Sequence, residues 1–169
     1  MWKENEKLYE IDEIINNFVA QFGCDAELGE EFLYFGSDNT ITYTLLIGEL
    51  SDKVWKSYIK QTFGYEMKNV FVFSLLHEIG HHFTLGQFSR KLQNAEDKKI
   101  ARIEKDLSHS NCEELDTLLY LEYYDLPMEK VATEWAVNYA KNHRKKLFKF
   151  WRKLEIALHQ YFDEAITEE

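Results

Sequence analysis

The sequence predicts an α+β fold: a mostly helical single domain with a small antiparallel sheet or hairpin and one buried helix that carries His77-Glu78-Ile79-Gly80-His81. Three observations predict it. Most of the chain repeats apolar residues at the helical period of about 3.6. One stretch between 31 and 47 changes to β-branched and aromatic residues around a turn. Val70 to Leu76 is almost wholly apolar, the mark of a helix enclosed on all sides. With 169 residues, one proline and no Gly/Ser linker or internal repeat, residues 1–169 read as one domain.

The elements follow in order. Leu8, Ile11, Ile14, Ile15, Phe18, Val19 and Phe22 lie at helical spacing, so Glu4 to Phe22 is the first helix, closed by Gly23. Glu31–Phe35 and Thr40–Ile47 flank Gly36-Ser37-Asp38-Asn39, which is turn chemistry, and form a hairpin. Ser51 caps a second helix that runs to about Phe63, before Gly64. Asn69 caps the apolar helix, which Gly86 stops after Leu85.

Beyond Gly86 the chain turns polar. Ser89 to Leu107 has few apolar anchors and reads as an exposed helix or a flap. Asn111 to Tyr124 regains an apolar pattern, and Asp125-Leu126-Pro127 punctuates before another helix with Pro127 in its first turn. Leu147, Phe150, Trp151, Leu154, Leu158, Tyr161 and Phe162 then make a stripe that belongs against a core or a partner helix. About six helices result.

Charge is uneven along the chain. Residues 1–140 hold 13 Lys and Arg against 25 Asp and Glu, while 141–153 hold seven basic residues and no acidic one, within a net charge of −10. Direct nucleic-acid binding is therefore not expected, and the basic segment reads as a solvated helix face. No run of eighteen apolar residues predicts a membrane span, the N-terminus is too acidic for a signal peptide, and Cys24 and Cys112 are isolated. The expectation is a cytoplasmic protein with both thiols free.

The motif H-E-x-x-H carries the chemistry. Residues four apart on a helix share a face, so the imidazoles of His77 and His81 can close on one metal ion, for which zinc is the usual occupant. Glu78 lies about 100° around the helix from His77, placed to reach a metal-activated water rather than to ligate, which is the position of a general base. Two histidines and a glutamate on a buried helix need a partner, and a metal supplies it.

HEIGHHFTLG at 77–86, followed by Glu129-x-x-Ala132-x-x-Trp135-Ala136, resembles the ImmA/IrrE group of zinc metallopeptidases. The matching stretches cover under a fifth of the chain, and Thr133 and Trp135 stand where the group has Asn and Phe. The resemblance implies a zinc ion, Glu129 as third ligand, and a specific protein substrate such as a transcriptional repressor. The residues point the same way: Glu129 shares a helix face with the small residues Ala132 and Ala136, whereas Glu134 shares its face with Lys130, Asn138 and Lys141.

The mechanism expected is peptide-bond hydrolysis by a zinc-activated water, with His77, His81 and Glu129 as ligands and Glu78 as base. His82, Tyr139 and His143 are the candidates for an oxyanion donor. Two alternatives stay open: a zinc-binding interaction protein whose site a fourth side chain such as His109 or Cys112 closes, and a SprT-like protease with His109 as third ligand.

Overall fold

Local capping and turn signals set most element boundaries in the computed structural model, which describes residues 2–45 and 48–167. Helix α1 (Trp2–Val19) continues as a 3-10 turn to Phe22 and ends at Gly23, whose φ of 80° is a left-handed conformation that suits glycine. Strands β1 (Asp25–Leu28), β2 (Leu33–Phe35) and β3 (Thr40–Tyr43) follow. The turn between β2 and β3 places Asn39 at φ 59°, which Asn tolerates, and the Asp38 carboxylate accepts from the Thr40 amide.

The sheet differs from the expected one in two ways. Its order is β1-β3-β2, with β3 antiparallel to β2 but parallel to β1, so the sheet is mixed. β1 went unread because Asp-Ala-Glu-Leu has weak strand propensity and buries only Ala26; its pairing is imposed by β3 and by helix α1. β3 is the central strand, and it ends at Tyr43; residues 46 and 47 of the expected strand lie outside the described residues. The outer edge of β1 is closed by Asn16, whose side-chain amide accepts from Ala26 N at 2.8 Å and donates to Ala26 O at 2.7 Å.

The helices follow as α2 (Glu49–Phe63), α3 (Val70–Thr84), α4 (Arg90–His109), α5 (Glu113–Tyr124), α6 (Pro127–Asn142) and α7 (Arg144–Thr167), making seven α-helices among the described residues. α2 starts one turn earlier than expected: Gly48 is its N-cap, and the Ser51 hydroxyl donates to the Gly48 carbonyl from inside the first turn. Asn69 caps α3 by accepting from Val72 N at 2.9 Å. Gly86 does not terminate it; a 3-10 turn, Leu85–Gln87, carries the chain onward. The polar segment after it is a helix, α4, with Ser89 as N-cap.

The main core joins α1, the sheet, α3, α6 and α7. Much of the α7 stripe meets α1 within the same chain: Phe150, Leu154 and Ala157 are buried, and the rings of Phe18 and Phe150 stack at 4.1 Å. A smaller cluster of Ile103, Leu119 and Leu126 fastens α4 to α5 and to the start of α6. No helix among the described residues is long and apolar enough to cross a membrane.

Candidate metal centre

Helix α3 is buried along most of its length, and it crosses α6 with Gly80 against Ala132. Only a residue without a side chain fits there. Because Glu129 stands one turn before Ala132 in α6, the crossing delivers its carboxylate to the two histidines on α3. His77 Nε2 lies 3.0 Å from Glu129 Oε2, His81 Nε2 lies 3.4 Å from the same oxygen, and the two Nε2 atoms are 3.1 Å apart.

This triangle fits a metal ion. Three donors bound at about 2.0–2.1 Å in tetrahedral geometry stand about 3.3 Å from one another, close to the spacing observed. Two imidazole nitrogens and a carboxylate oxygen converging on one point is also a donor set that a divalent cation satisfies better than shared protons do. His77, His81 and Glu129 therefore form a buried group able to hold a metal ion.

The electrostatics agree with the geometry. Burial alone would raise the Glu129 pKa, but hydrogen bonds from His77 and His81 outweigh it and hold the carboxyl well below its usual range. Burial would lower that of His81, yet Glu129, then Glu78 and Glu96, hold it at about 9. Glu78 is buried beside the group, and loss of hydration raises its pKa although His77 and His81 oppose the shift. A carboxylate so placed is a stronger base than one in water.

Three surrounding residues complete the site, and sequence reading assigned a role to none of them. Thr133 Oγ1 lies 3.1 Å from His77 Nδ1, fixing the ring so that Nε2 faces the group. Glu96 of α4 is 1 % exposed and its two oxygens accept from Met128 N at 3.3 and 3.1 Å, placing an anion at the N-terminus of the helix that carries Glu129. The half-buried Tyr123 hydrogen-bonds Glu129, and loss of hydration at its hydroxyl, with the charges of Glu129 and Glu78, pushes the phenol pKa well up. No local pattern signals these contacts, since each joins helices brought together by the fold. Trp55 packs on His77, the two rings meeting edge-on at 5.4 Å.

The remaining sequence candidates lie elsewhere. Glu134 is exposed. His109 is exposed at the end of α4, where its Nδ1 bonds the Lys105 carbonyl, and Cys112 is exposed with its thiol on Glu114, so neither joins the group. Tyr139 and His143 stack on each other at 3.9 Å within an aromatic row that includes Trp135, and His143 Nδ1 lies 3.0 Å from the Tyr139 carbonyl. His82 Nδ1 is 3.0 Å from the Tyr34 hydroxyl, joining α3 to β2.

Comparison with protein-family models, curated proteins and solved structures returns no match. The site's own chemistry is left to carry the functional reading.

Proposed function

We propose that the protein is a zinc metallopeptidase of ImmA/IrrE type that hydrolyses a peptide bond in a specific protein substrate. The observation that carries this reading is the convergence of His77 Nε2, His81 Nε2 and Glu129 Oε2 within 3.4 Å of one another, with the buried carboxylate of Glu78 beside them. His77, His81 and Glu129 would hold zinc, which when bound would supply an acidified water at neutral pH and a Lewis acid for the scissile carbonyl. Glu78 would take a proton from the attacking water and return it to the leaving amine, a task suited to its raised pKa. The Tyr123 hydroxyl, hydrogen-bonded to Glu129, would help to orient that carboxylate.

Substrate access is read from the sheet and the cleft. With the outer edge of β1 closed by Asn16, β2 offers the edge at which an extended peptide adds as a strand, and Tyr34 fastens that strand to α3 through His82. A cleft of about 630 Å³ passes Glu31, Phe32, Phe71 and Ser74, and Ser74 stands one helical turn before Glu78.

The test is elemental analysis of protein purified without added metal, followed by Glu78→Gln. Stoichiometric zinc in both proteins, with hydrolysis of a substrate lost by several orders of magnitude in the variant, is the expected result. Full activity in Glu78→Gln overturns the mechanism. Zinc without peptidase activity in the wild type assigns the protein to the interaction class instead.

A further inference from the structure

A second concavity lies on another face of α3, towards its N-terminus. Its volume is about 560 Å³. The half-buried Tyr65 and Leu147 give it an apolar lining above the core residues Val72 and Leu76, and the exposed basic side chains Lys68, Lys141 and Arg144 line it as well. Phe148, also lining it, is 64 % exposed. Lys141 is twelve residues after Glu129 in sequence, which on a helix is about 18 Å from the metal group.

The charge here runs against the rest of the molecule. The chain carries −10, yet residues 141–153 hold seven Lys and Arg and no acid. Among the described residues, Lys68, Lys141 and Arg144 have no carboxylate within 4.0 Å, since the ion pairs involve Lys60, Arg102, Lys130, Arg152 and the two site histidines. Glu66 is the one acid that lines the groove, and it lies 4.0 Å from Lys60. Three cations without a carboxylate partner, one of which, Lys141, donates to the Phe63 carbonyl at 3.3 Å, stand around an apolar lining with a large aromatic side chain left in solvent, which is the complement of an acidic segment with an apolar anchor.

We propose that the groove between the start of α3 and the α6–α7 junction binds an acidic peptide segment of another protein, seating a large apolar side chain against Tyr65, Leu147 and Phe148 and its carboxylates on Lys68, Lys141 and Arg144. A nucleic acid is a poorer occupant. Its phosphates find no counterpart in the groove's apolar lining, and the chain as a whole carries −10. A membrane is poorer too, because a bilayer surface cannot enter a recessed groove, and much of the α7 apolar stripe is packed on α1. This inference goes beyond the proposed hydrolysis and does not depend on it, because the groove shares no residue with the metal group.

The experiment measures fluorescence anisotropy of a fluorescein-labelled peptide of Glu and Asp with a central Leu-Phe pair, titrated with the purified full chain. Three comparison probes are the same peptide with Leu-Phe replaced by Ser-Ser, a single-stranded DNA of equal charge, and phosphatidylserine vesicles. Saturable binding of the Leu-Phe peptide is expected. Affinity should fall about tenfold or more in the Lys141→Glu/Arg144→Glu double variant and several-fold in Phe148→Ser, all three being surface positions whose change leaves the fold intact. A charge-matched control, Lys98→Glu/Lys105→Glu on α4, should bind as the wild type does. Equal loss in that control reduces the effect to net charge and overturns the proposal. So does binding that the groove variants leave unchanged, absence of binding, or tighter binding of the DNA or the vesicles with the same dependence on Lys141 and Arg144.

Discussion

Gly80 lies against the backbone of Ala132 so closely that an added Cβ would stand 2.5 Å from the Ala132 carbonyl oxygen. Ala132 and Ala136 are both fully buried, so α6 has no room to retreat. Gly80→Ala is expected to force the helices apart, cost about 1–3 kcal/mol and weaken metal binding, since Glu129 moves with α6. Gly86→Ala, where an added Cβ meets nothing within 4 Å, serves as the control. Thermal melts and zinc-to-protein ratios after dialysis check both; a Gly80→Ala protein that melts and retains zinc like the wild type contradicts the argument.

Removal of metal should destabilise the fold. The three donor atoms meet only when α3 and α6 are packed, so the energy of binding a cation there is folding energy. A strong chelator should lower the melting temperature, and His77→Ala, His81→Ala or Glu129→Ala should reproduce that shift and render the chelator without further effect. Glu134→Ala, on the exposed face of α6, should behave as the wild type in the same scan. Identical melting of the metal-loaded and metal-stripped wild type would falsify a metal-holding role for the group.

The contact from Thr133 Oγ1 to His77 Nδ1 makes Thr133 a positioning residue. Thr133→Val keeps the shape and removes the hydroxyl, so zinc affinity should fall about 10–100-fold while secondary structure is retained. Thr133→Ser should restore most of it. Competition against a chelating dye reads the affinities directly, and a Val variant that competes as well as the wild type shows that His77 needs no such support.

The two cysteines should differ in reactivity. Cys24 is 2 % exposed, and burial, with a smaller contribution from Asp25, pushes its thiol from 9.0 up to about 11. Cys112 is exposed. A thiol reagent at pH 8 should label one cysteine quickly in the native protein and the second only on unfolding. The folded-state pKa of Cys24 is raised, so its contribution to stability is complete below pH 9 and is lost as pH rises towards 11. The stability gap between wild type and Cys24→Ala should shrink across that window, and a gap that stays constant contradicts the shift.

What the sequence determined by itself is local. The helix that bears His77, Glu78 and His81 was readable because Asn69 is a capping residue and Val70 to Leu76 leaves no polar face, and the spacing of four residues is a property of any α-helix. The choice of Glu129 over Glu134 was readable because Ala132 and Ala136 mark the face of α6 that packs closely. Tertiary structure alone decided the rest. β1 exists because β3 and Asn16 pair with it, not because Asp-Ala-Glu-Leu favours a strand. Glu96 came from a segment too charged to suggest a core, and it is buried only because the Met128 amide, at a helix N-terminus supplied by another part of the chain, meets its carboxylate. Tyr123 and Thr133 reach the site by the same route. Patterns of 3.6 and 2 residues record which face of an element is apolar, whereas contacts between elements depend on how the faces are docked, and no local period encodes that.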